Sequence, residues 1–94
     1  MSAPLDKTTL TRAAWITALR QQGDRQCTHA WSDGRGNVCA VGLLGEVAGV
    51  TSYVKAREVV GLSACQMDEI VFEMNDTGSS FAEIADTVAG WFPS

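Results

Sequence analysis

The hydrophobic pattern is strongest in the middle of the chain. From Cys39 to Val50 apolar residues occupy every side of a helical wheel except at Glu46, the pattern of a helix buried all round. Gly42, Gly45 and Gly49 fall at i, i+3 and i+7 of this stretch, on one stripe where missing side chains let another backbone come close. Two amphipathic stretches follow. Met67, Ile70, Val71 and Met74 form one stripe, and Phe81, Ile84, Ala85, Val88 and Phe92 form the other, with Trp91 beside it. Each opens with a hydroxyl residue followed three places later by a side chain able to reach back: Ser63 with Gln66, and Ser80 with Glu83. Asn75-Asp76-Thr77-Gly78 lies between them and supplies turn and helix-stop residues, so the spacing predicts a helical hairpin.

Nearer the N-terminus, Thr8 or Thr9 is positioned to cap a helix reaching about Gln22, with Gly23 as its stop and Trp15, Ile16 and Leu19 as its apolar cluster. Leu10 and Ala14 turn partly away from that cluster. Residues 26–32 alternate roughly, and Asp33-Gly34-Arg35-Gly36-Asn37 is a turn cluster, which together predict a short hairpin returning through Val38 and Cys39. Residues 51–62 carry the weakest pattern; Ser52 is placed to cap a short helix through Val60 that Gly61 ends. The fold expected is mainly α: four to five short helices with a small β-hairpin near residues 26–39, in one globular unit over 1–94 with a loose terminus at 1–8.

Composition agrees with a folded chain. Of the 94 residues, 46% are hydrophobic and 19% charged, with two prolines, unlike a disordered segment. No run approaches the ~18 apolar residues of a membrane span and no leader-like start is present, so a cytoplasmic protein is expected. Three cysteines, Cys27, Cys39 and Cys65, leave one over if any pair forms, which fits buried thiols in a reducing compartment.

Charge divides by region. Residues 1–63 hold all seven basic side chains against five acidic ones, while residues 64–94 hold six acids and no base, so the two parts carry +2 and −6. The acidic part is unsuited to phosphate backbones, which disfavours nucleic acid as a partner, and the contrast makes the two parts candidates for pairing within or between copies.

Chemistry-bearing residues do not assemble into a known motif. Cys27, His29, Cys39 and Cys65 are suitable zinc ligands in type, but no C-x-x-C or H-x3-5-H spacing occurs. Cys27 and His29 share a face if their segment is extended, yet no third group is at hand to orient the pair. Gly34, Gly36 and Gly42 fit neither common phosphate-loop pattern, although Arg35 on the turn and a helix starting near Cys39 place a cation and free N–H groups together. Ser80-Phe81-Ala82-Glu83-Ile84-Ala85 is like the first helix of a helix-turn-helix, but no recognition helix or base follows it. The candidate ligand contacts are therefore Arg12, Arg20, Arg25 and Arg35 with Asn75 and Asp76, for an anionic small molecule such as a nucleotide signal. Trp31, Trp91 and Phe92 are candidate interface residues, and no catalytic residue, metal or cofactor is assigned.

Three short motifs carry a resemblance: Trp15 to Leu19 as W-x-x-A-L, Gly36 to Leu44 as G-x-x-C-A-x-G-x-L, and Asn75 to Ala85 as a compact form of N-D-x-x-G-x-S-F-x-E-I-A. Together the chain resembles small proteins encoded by phages and by bacteria, many of them actinobacterial, a group that lends no catalytic residues. The resemblance implies a phage accessory protein that works by binding, on itself or on a host protein, without chemistry of its own.

Overall fold

The computed structural model describes residues 7–92 and is mainly helical; the segment read as a loose terminus falls largely outside them. Helix α1 (Lys7–Gln21) is already helical at Lys7, so Thr8 and Thr9 lie within it and do not cap it. A single 3-10 turn, Gly23–Arg25, follows at the predicted glycine stop. Helices α2 (Ala40–Ala48) and α3 (Tyr53–Val60) end on Gly49 and Gly61 at φ 73° and 70°, a left-handed conformation that glycine adopts without steric cost. Ser52 caps α3 by accepting the Lys55 N–H, as its position in the weak segment predicted.

Helix α4 (Ala64–Asp68) widens without interruption into a π-helical stretch, Glu69–Asn75, and α5 (Phe81–Trp91) completes the fold. Both predicted capping boxes form, with Ser63 and Gln66 exchanging hydrogen bonds at 3.1 and 2.9 Å and Ser80 and Glu83 at 3.1 and 3.0 Å. Each serine satisfies a backbone donor that the helix leaves open. Ser63→Ala and Ser80→Ala should each cost about 1 kcal/mol in urea unfolding; a loss within error for both would mean that water replaces the caps.

Helix α1 packs against α5, α2 and α3, and α2 also touches α3 and the π stretch. The core is one cluster in which Trp15 and Leu19 of α1 meet Val41, Leu43 and Leu44 of α2, Ile70 of the π stretch, and Phe81, Ile84 and Val88 of α5. Trp15 buries its indole fully and spends the N–H on the Ala40 carbonyl at 2.9 Å, which ties α1 to the first turn of α2. Among the described residues no helix is long and apolar enough to cross a membrane.

The expected β-hairpin is not formed. Among the described residues only isolated bridges occur, and both use Val38: Gln26 pairs with it in parallel and Ser32 in antiparallel sense. The chain first doubles back at His29, which sits at φ 62°, so the segment at 25–27 runs alongside residues 37–39 in the same direction and cannot be the second arm of a hairpin. The turn itself is where the sequence placed it. Asp33 accepts the N–H groups of Arg35 and Asn37 and the Asn37 amide, and these bonds hold its carboxyl below the usual range. Arg25 then fastens the loop to α2, donating to the Gly36 carbonyl at 2.8 Å and to both Glu46 oxygens at 2.7 and 2.9 Å.

Candidate functional site

The site is built where the loop at 26–33, the start of α2 and the π stretch meet. Backbone bonds closing over five residues, as in the Asp76 N–H to Val71 carbonyl bond at 3.0 Å, put more than four residues in a turn. In an ordinary α-helix Asn75 would stand about 140° away from Ile70. Widening brings it back to Ile70's side, and Asn75 is fully buried there while Met74, expected on the apolar stripe, is only half-buried.

Asn75 organises everything around it. Its Oδ1 accepts the Ala40 N–H, a free donor of the first turn of α2, and the Gln26 amide, both at 3.1 Å. Its Nδ2 donates to the Cys27 carbonyl at 2.9 Å and to Asp76 Oδ1 at 3.3 Å. The residues of the two longer motifs, Cys39-Ala40 and Asn75-Asp76, are thus one structural unit. Turn chemistry accounted for Asn75 in the sequence; in the fold it is a buried crosslink between three segments.

Asp76 faces the other way, into a cleft of about 390 Å³. Its Oδ1 accepts the His29 N–H at 2.8 Å, which holds His29 in its left-handed backbone, and Oδ2 lies 3.4 Å from the His29 imidazole. The loop residues His29 and Ala30, Cys39 at the start of α2, Tyr53 of α3, and Met67, Asp68, Val71 and Phe72 of α4 and the π stretch line the cleft with Asp76. The Tyr53 hydroxyl is 4.0 Å from the Cys39 sulfur, which itself caps α2 by accepting the Gly42 N–H at 3.2 Å. Burial beside Cys39 pushes the Tyr53 phenol up to about 12, so it is neutral at ordinary pH. A second hollow of about 200 Å³ adjoins the first, sharing Tyr53, Met67 and Asp68 with it and adding Val54 and Arg57.

Trp31 packs against one of the lining residues, Tyr53. Its ring meets Tyr53 edge-on at 5.0 Å, and its backbone and indole fill the space that Gly42 and Gly45 leave open. The glycine stripe therefore admits a loop tryptophan and its carbonyl, while Gly49, its third member, serves as the left-handed cap of α2.

The predicted arginines do not converge. Arg12 donates to the Val60 carbonyl at 2.7 Å and lies 3.7 Å from the Phe92 ring centre, Arg20 pairs with Asp86 at 2.8 Å, and Arg25 is committed to Glu46. Arg35 stands apart on the exposed turn. Trp31, Trp91 and Phe92 are half-buried and pack against the core, whereas Phe72 and Val54 are exposed at 63% and 59%. Phe72 was visible in the sequence as a lone aromatic off the apolar stripe among Asp68, Glu69 and Glu73.

Of the cysteines expected to be buried, only Cys39 is; Cys27 is half-buried, and Cys65, in the first turn of α4, is exposed. Burial nonetheless pushes the Cys27 thiol up, which keeps it protonated and weakly nucleophilic. No group of histidine, cysteine and acidic side chains suited to a metal ion occurs among the described residues. Comparison with family models, curated proteins and solved structures finds no match, so the reading of this site rests on its own geometry.

Proposed function

We propose that the protein acts by binding a segment of a partner protein across the face between Phe72 and Val54, as a phage- or prophage-type accessory protein working in the host cytoplasm without catalysis. One observation carries this reading: two adjoining hollows share the Tyr53–Met67–Asp68 ridge and are flanked by the most exposed large apolar side chains of the described residues. Apolar side chains held in water beside concave surface are what a partner covers. The alternative, capture of an anionic small molecule by the arginines, draws less support. Three of the four are engaged internally at separate places, and carboxylates line the larger hollow.

A photo-crosslinking amino acid at position 72, with the same group at Ala82 on the exposed side of α5 as control, tests the face directly. Position 72 should yield a discrete adduct in host cells and position 82 none; equal labelling at both would overturn the assignment. Phe72→Ala should abolish that association while changing stability by no more than about 0.5 kcal/mol, since the side chain is mostly in water. An adduct of twice the chain's mass would identify the partner as a second copy.

A further inference from the structure

We infer that the larger hollow receives a lysine or arginine side chain of the partner, its aliphatic stem against Met67, Val71 and Phe72 and its charged head between Asp68 and Asp76. This deepens the binding proposal above and rests on it. Among the described residues the hollow is lined by two carboxylates and by no lysine or arginine. The Asp76 side chain is only 12% exposed; its Oδ1 accepts the His29 N–H and the Asn75 amide, while its Oδ2 lies 3.4 Å from the His29 imidazole and, among the described residues, has no lysine or arginine paired with it. A carboxylate drawn so far from water attracts a cation more strongly than a surface one does. Phe72 and Tyr53 add aromatic surface that also favours cations. The acidic side chains of the hollow are Asp68 and Asp76, and its basic-type side chain is His29.

Long basic side chains suit such a place, since they lay apolar stems along apolar walls and keep only the head polar. The second hollow argues for a polypeptide over a free amine. It shares Tyr53, Met67 and Asp68 with the first and adds Val54, Arg57 and Ala64, so a neighbouring side chain of the same segment has a place to sit beside Val54 and Ala64. The acidic character of residues 64–94, which supply Asp68 and Asp76, finds its use here.

Titration of ¹⁵N-labelled protein with three probes of similar size, n-butylguanidinium, 1-pentanol and pentanoate, decides the matter by NMR. Butylguanidinium should shift the Ala30, Val71 and Asp76 amides at concentrations about tenfold below those needed for pentanol, with pentanoate weakest. Asp76→Asn should remove the advantage, and because Asp76 also holds His29, Asp68→Asn provides a second variant on an exposed side chain that should reduce it without disturbing the loop. Equal shifts by pentanol and butylguanidinium would overturn the cation preference and leave the apolar face standing. No cleft shift with any probe would overturn both readings. Cleft shifts that grow with protein concentration alone would overturn a separate partner in favour of a second copy.

Discussion

Asn75→Asp should lower the melting temperature by roughly 15 °C, the equivalent of about 3 kcal/mol in a domain of this size. The change conserves shape. Oδ1 can still accept from Ala40 and Gln26, but the amide donor becomes an oxygen facing the Cys27 carbonyl at 2.9 Å and Asp76 Oδ1 at 3.3 Å. A donor is lost, the part-buried Cys27 carbonyl loses this partner, and a charge is brought beside a second carboxylate at a fully buried side-chain position. The loss should shrink as the pH is lowered, because folding then favours the protonated form of the introduced carboxyl, which again has a donor for Cys27. Thermal denaturation at neutral and acidic pH checks both parts; a melting point unchanged at neutral pH would show that Asn75 is not the crosslink described.

Glycine substitutions should give opposite signs in two helices. Alanine in place of glycine within a helix ordinarily stabilises by up to about 1 kcal/mol. Gly90→Ala in α5 should follow that rule, since a Cβ there meets nothing within 4 Å. Gly42→Ala should instead destabilise by about 2 kcal/mol, the usual cost of overpacking. Its Cβ would overlap the Trp31 carbonyl, which accepts the Cys39 N–H at 3.1 Å, and would lie 3.1 Å from the Val38 Cβ. A side-chain tip can swing aside, whereas this carbonyl is part of the backbone that shapes the cleft. Gly45→Ala meets the Trp31 ring and, at 2.6 Å, the Val50 carbonyl, and should behave likewise. Urea unfolding of the three variants suffices, and stabilisation by Gly42→Ala would refute the packing.

Those outcomes would also probe how the candidate site depends on the loop. Displacing Trp31 moves the partner of Tyr53 in the lining of the hollow, so Gly42→Ala should weaken butylguanidinium binding even in molecules that remain folded.

The helices were legible because their signals are local. Ser52, Ser63 and Ser80 each bond to a backbone N–H three residues on, and Gly49 and Gly61 end helices by their own backbone freedom, so a few neighbouring residues contain the whole cause. The buried character of α2 was legible too, since a stretch with apolar residues on nearly all sides has only an interior to occupy.

Tertiary structure decided the rest. The residues at 26–32 alternate roughly as a strand does, but their partners depend on the reversal at His29, which Asp76 holds from 47 residues away. The π widening that turns Asn75 inward has no local composition signal; it is favoured because Ala40, Cys27 and Gln26 wait on that side with unpaired polar groups. The amino-acid sequence by itself determined the glycine stops of α2 and α3, the serine caps of α3, α4 and α5, and the apolar face of α5, since caps and periodicity act within one turn, whereas the start of α1 and the face of the π stretch departed from it. Which apolar residues stay in water, and that His29, Tyr53, Asp68 and Asp76 come to share one cleft, depended on contacts between distant segments that only the folded chain creates.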